Sequence, residues 1–330
     1  MKTHERFLAA ARGLPLDRLP VIEWAMWWGE TVSRWHTEQP AIRDRQGVEL
    51  QRHFGLDVQL QSWFPTISAA APKPAAHGAP IVSDLAEYEK IRPLLFPEPR
   101  LDADFLKLAR QLRADGDGVA WYTLEGFFWF PRQLLGIENH LYSFYDAPEL
   151  YHTICRDLLA WQKRAVALCA EQFPFTFMTF AEDMSYNNGP MISRATFDEF
   201  IAPYYREIIP LINQTGTLTM VDSDGDITQA IGWFGDCGVD GMLPLERQAG
   251  VEVSRYLDAQ PQMFFLGHFD KMVMHQGRAA LEREFARLLP SARRGRFIPS
   301  VDHQTPPAVS YEDYRQYVSL LKQFAVEAVR

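Results

Sequence analysis

The sequence predicts an α/β protein built as a (β/α)8, or TIM, barrel. Three observations predict it. Eight short apolar runs succeed one another along 330 residues. Stretches with the 3.6-residue period of a half-buried helix lie between them. Acidic residues and histidines recur just after the runs, where the βα loops of such a barrel gather its chemistry.

The runs are residues 21–25, 57–61, 119–124, 175–180, 218–221, 241–245, 263–267 and 296–301. Helical periodicity follows over residues 197–213, 227–234, 279–289 and 313–328. In the last of these, Tyr314, Tyr317, Val318, Leu321, Phe324, Ala325 and Ala328 share one face. An open doubly wound sheet is the alternative, but it lacks its glycine-rich phosphate fingerprint here. Residues 65–99 hold seven of the 22 prolines. They read as a loop or hairpin inserted after the second run, within a single domain spanning residues 1–330.

Composition narrows the function. A formal charge of −9 and no long basic cluster disfavour nucleic acid or an anionic membrane as partner. No apolar run approaches the length of about 18 residues that a membrane span needs. The N-terminal stretch has no signal-peptide core, which points to the cytoplasm. The three cysteines, Cys155, Cys169 and Cys237, lie far apart, as reduced thiols do. Composition leaves the oligomeric state open.

Polar residues expected at the strand ends are Glu23, Glu125, Glu182, Asp183, Asp222, Asp224, Glu246, His268, Asp270, Asp302 and His303. The most informative are Asp222 and Asp224. On a strand, alternate residues face the same way, so these two carboxylates point together. Like charges held together call for a metal, a cation or solvent. The run Asp222-Ser223-Asp224-Gly225-Asp226 is not a calcium loop, because Ile227 and Trp233 stand where that loop needs Gly and Glu. Helix capping by Asp226 and backbone hydrogen bonding by its neighbours is the plainer alternative. With His303, Asp222 and Asp224 make a donor set for a hard or borderline divalent ion.

Glu182 and Asp302 are the candidate acid–base groups, with Asp183 assigned a structural role beside Glu182. Trp27, Trp28, Tyr186, Glu246 and His268 are candidate substrate contacts. Four of the nine tryptophans fall within residues 24–35, as in a pocket wall, although packing of helices on the barrel would account for them too.

Several motifs together resemble the uroporphyrinogen decarboxylase superfamily, which also contains zinc-dependent corrinoid methyltransferases. They are Glu182-Asp183-Met184 with Gly189-Pro190, then Pro203-Tyr204-Tyr205 and Asp222-Ser223-Asp224-Gly225-Asp226. Gly238-Val239-Asp240-Gly241, Pro244-Leu245-Glu246, Gly267-His268-Phe269-Asp270-Lys271 and Asp302-His303-Gln304-Thr305-Pro306-Pro307 complete the set. The resemblance is strong over residues 120–330 and weak before them. It implies a (β/α)8 barrel.

The decarboxylase branch carries arginines just after its first strand. Here that stretch is Glu23-Trp24-Ala25-Met26-Trp27-Trp28-Gly29-Glu30, with Arg34 the only nearby cation. The methyltransferase branch binds zinc through a His-x-Cys pair and a later cysteine. By position Asp222 and Asp224 replace the pair, and Asp302 or His303 replaces the last cysteine. The resemblance therefore implies a metal-dependent methyltransferase, zinc being the first candidate ion, exchanging methyl between a separate corrinoid protein and a small-molecule substrate. A carboxy-lyase and a non-catalytic binding barrel are the alternatives.

Overall fold

The computed structural model describes residues 1–330. Seven parallel strands form one curled sheet: β1 (Val58–Trp63), β2 (Gly118–Glu125), β3 (Phe177–Ala181), β4 (Leu218–Asp222), β5 (Gly241–Leu243), β6 (Phe264–Phe269) and β7 (Phe297–Val301). Their order in the sheet is their order in the chain. Every consecutive pair is parallel, so each connection must cross back over the sheet, and helices do this. One apolar core of 92 buried residues reaches from Phe7 to Ala328. No helix is long and apolar enough to cross a membrane.

Seven of the eight expected runs are strands. Residues 21–25 are not. They nevertheless occupy the space between β7 and β1. The carbonyl of Val21 accepts from the Asp57 amide at 2.8 Å, beside β1. The Trp24 indole donates to the Val301 carbonyl of β7 at 2.7 Å. The buried Glu23 carboxyl accepts from the Ser300 hydroxyl, the Val301 amide and the Tyr317 hydroxyl. Side chains here take over work that a backbone ladder does elsewhere in the sheet.

Two helical expectations are also revised. Residues 197–213 divide between helices Arg194–Phe200 and Ala202–Asn213. Pro203 lies in the first turn of the second, where its missing N–H costs nothing. Over residues 227–234 only Ile231–Gly235 is helical. Asp226 instead closes a turn, accepting from the Thr228 amide at 2.9 Å.

The proline-rich insertion is packed rather than loose. It contains helix Leu85–Ile91 and an antiparallel bridge between Ile67 and Leu95. The Trp161 indole donates to the Pro97 carbonyl at 2.6 Å. The Tyr88 hydroxyl donates to Asp157 at 2.8 Å, and the Ile81 amide to the Leu134 carbonyl at 2.7 Å.

Candidate functional site at the C-terminal rim of the sheet

All seven strands run the same way, so their C-terminal ends share one rim. β4 ends at Asp222, and the chain turns through Gly225 before the next helix. Gly225 has φ +81°, and a Cβ there would sit 2.6 Å from the Tyr186 Cα. Glycine thus lets the β4 loop press against the two-residue hairpin formed by Ser185–Tyr186 and Gly189–Pro190. The Tyr186 carbonyl accepts from the Asp226 amide at 2.9 Å. Tyr186 itself stays exposed.

A carboxylate cluster forms around this loop. Asp183 accepts from the Asp224 amide at 3.1 Å. Burial, then the charges of Asp183 and Asp224, push the Asp222 carboxyl well above its usual range, with no hydrogen bond or cation to offset them. Asp224 is raised to about 7, by burial first and then by Asp183 and Glu246, against the pull of Lys271. Burial also raises Asp183, opposed by the Asp224 amide, Arg132 and His303.

His303 Nε2 lies 3.8 Å from Asp224 Oδ2. Burial, followed by Lys271, lowers the imidazole from its ordinary value. An imidazole pushed toward neutrality beside a carboxyl pushed toward protonation is not a fixed ion pair, and at 3.8 Å the two are neighbours without a hydrogen bond. Lys271 completes the cluster, with its ammonium 3.0 Å from Glu246.

The rim therefore brings together Asp222, Asp224, Glu246 and His303 from the expected set. Other members lie elsewhere. Glu182 is fully buried in the wall. It accepts from the Phe128 and Trp129 amides at 2.9 and 3.1 Å and from the Tyr205 hydroxyl at 2.7 Å. Its neighbour Asp183 takes the cluster side, the reverse of the expected assignment. Gly126 makes this possible, since a Cβ there would lie 1.7 Å from a Glu182 oxygen.

Asp302 is also buried. Its two oxygens accept from the Arg247 amide at 2.8 Å and the Lys271 amide at 3.1 Å, tying the loops after β5 and β6 to the end of β7. Burial raises it to about 6, against those two amides. Enclosed this way, Asp302 positions loops instead of meeting substrate.

His268 points inward. Its Nδ1 bonds the Leu245 carbonyl at 3.0 Å, and its Nε2 faces the Val253 amide and Arg287. Trp27 packs edge-on against Trp35, Phe54 and Tyr314 in the aromatic layer between helices, so it is core and not pocket wall. Trp28, one residue on, is 47% exposed. Sequence reasoning gave no place in the site to Lys271 or Arg132. Lys271, only three residues after His268, was quoted within a motif, and its charge was the available signal.

The comparisons with known proteins agree with this architecture. The family model described as uroporphyrinogen decarboxylase (URO-D) matches residues 81–324. The chain belongs to the uroporphyrinogen decarboxylase family. Among solved structures, a methyltransferase from Methanosarcina mazei is similar over 98% of this chain and 99% of that one, with 14% identity and a TM-score of 0.70. A B12-independent methionine synthase from Shewanella sp. W3-18-1 is similar over 93% and 92% respectively, with 13% identity and a TM-score of 0.44. A comparison with curated proteins finds no match.

Arg34, the cation expected nearest the mouth, is held by Glu38 and by the carbonyls of Pro307 and Ala308. All three cysteines are buried and free. No three His, Cys, Asp or Glu side chains are gathered as a ready metal-holding set. The oxygen donors of Asp222 and Asp224 are of the kind that an oxygen-preferring divalent ion takes, and Asp222 has no cation or hydrogen bond to offset its charge.

Proposed function

We propose that this chain is a methyltransferase-type enzyme that acts on a small molecule at the carboxylate cluster of the C-terminal rim. One observation carries the reading: Asp224, raised to about 7, stands 3.8 Å from the imidazole of His303. A group poised near neutral pH is suited to accept a proton from a hydroxyl, thiol or amine as that heteroatom takes up a methyl group. Asp224 would receive the proton, and His303 would share it. Asp183 orients the Asp224 backbone through the amide bond, and the Glu246–Lys271 pair sets the local charge.

A corrinoid on a partner protein would supply or accept the methyl group. A divalent ion, zinc first, would need Asp222, Asp224 and His303 to close in from their present spacing, and would then supply Lewis acidity toward the heteroatom in place of Asp224 acting as base. The whole is a (β/α)8-type barrel in which residues 21–25 stand in for the eighth strand. Decarboxylation of a polyacidic tetrapyrrole is the weaker reading. A substrate with many carboxylates would meet a rim rich in acids, and Arg34 is already engaged.

The test mixes the purified chain with a methylated corrinoid protein and small thiols, amines and phenols, and follows the cobalt–methyl absorbance. Methyl loss with at least one acceptor is expected, slowed about 100-fold or more in Asp224→Asn. No loss with any of them would end the reading. Elemental analysis addresses the ion: metal in the parent and none in Asp224→Ala or His303→Ala is expected. Equal content in all three would remove the ion from this position.

A further inference from the structure

A cavity lies between the proline-rich insertion and helix Trp129–Leu135. Its volume is about 360 Å³, within the range of small-molecule sites. None of Asp222, Asp224 or His303 lines it. Its walls are mainly apolar, including Ile67, Ile81 and Ile137. Its basic side chains are Lys73, His77 and Arg132, with no Asp or Glu among its 16 residues.

Arg132 is the informative member. Its guanidinium lies over the Trp129 ring, 5.0 Å from the centroid. This cation–π contact restrains the side chain without consuming its hydrogens. Most arginines on this protein meet carboxylates, as Arg194 does with Asp198 and Arg287 with Glu284. Arg132 makes no such ion pair; its charge reaches Asp183 of the cluster only at longer range. The helix that carries it is anchored, because the Trp129 amide is bonded to Glu182 and Gln133 donates to Glu125 at 3.0 Å. A guanidinium restrained over an indole, partly buried and without an ion pair at an apolar wall, can meet a planar carboxylate two-pronged. Lys73 and His77 are exposed on the insertion and add attraction at the entrance.

We propose that this cavity binds a monocarboxylate with a flat apolar body, its carboxylate on Arg132 and its body against the isoleucine walls. The inference goes beyond the methyl-transfer reading and needs no turnover. The occupant is chosen by charge and by lining: the acidic rim repels an anion, while this cavity offers one a partly buried guanidinium among apolar walls.

The probe is 2-naphthoate, with neutral 2-naphthamide as its control, titrated calorimetrically into the full chain. Saturable binding of the acid below about 1 mM is expected, with the amide at least about tenfold weaker. Arg132→Gln should abolish that preference. Ala69→Trp, which fills the cavity from an exposed loop position, should weaken both probes and leaves Arg132 intact. It decides the matter if Arg132→Gln does not fold, as judged by circular dichroism. Equal binding of acid and amide, an unchanged preference in Arg132→Gln, full binding in Ala69→Trp, or no saturation by the acid would each overturn the proposal.

Discussion

Replacing Glu182 by Gln should flatten part of the pH dependence of stability. The carboxyl is completely buried, and burial raises it from an ordinary value of 4.5 to about 8, against the bonds from Tyr205, Trp129 and Phe128. Each pKa unit corresponds to about 1.4 kcal/mol, so the native state favours the neutral acid by a ceiling of about 5 kcal/mol. Below the unfolded pKa the acid is protonated in both states, and its contribution is fully present. Between that value and about 8 the unfolded chain releases the proton while the native state keeps it, so stability falls as pH rises. Above the native pKa both states are ionised and the loss levels off. From pH 6 to pH 9 the loss from this one group is about 2–3 kcal/mol.

Glu23 and Glu125, each raised to about 7 by burial, slope the same way, so the parent curve alone cannot isolate Glu182. The difference between parent and Glu182→Gln can. Gln keeps an acceptor for the two amides of the helix N-terminus and carries no proton to release. Urea unfolding at half-unit pH intervals is the assay, with midpoints followed by circular dichroism. The parent should lose stability faster than the variant as pH rises. Parallel curves would refute the assignment of Glu182 as a buried, largely neutral acid.

Three further outcomes are expected. Gly225→Ala should cost about 1–3 kcal/mol for its left-handed backbone, and more for the 2.6 Å approach to Tyr186. Gly250→Ala, with φ +79° and open space around it, should cost the backbone strain only, so equal denaturation midpoints for the two would contradict the close-packed hairpin. Trp27→Ala should destabilise by about 3–5 kcal/mol because it empties an aromatic core position, while Trp28→Ala should stay within about 0.5 kcal/mol. Asp302→Asn should slow turnover through loss of loop order, seen as increased amide exchange at Arg247 and Lys271; unchanged exchange there would deny it the clamping role.

Much of the architecture was legible in the chain. Seven of eight apolar runs became strands, because a strand buried on both faces needs a continuous apolar stretch, and such stretches are visible in sequence. The Asp222–Asp226 loop and His303 were legible for a related reason: polar residues directly after a buried strand fall at one rim. What neighbouring residues do there was not. Alternation tells that Glu182 and Asp183 face opposite ways, and it is silent on which way is inward. Gly126, 56 positions earlier, decides it by leaving room for the Glu182 carboxyl.

The sequence by itself determined that apolar runs and helical faces alternate, and hence that a parallel sheet forms with a shared acidic rim. Only tertiary structure decided that residues 21–25 bridge the sheet without joining it, that His268 and Asp302 turn into the protein, and that Arg132 is left unpaired over Trp129. Periodicity is a local property of the chain. The partner a polar group finds, and therefore its charge state, is set by residues tens to hundreds of positions away.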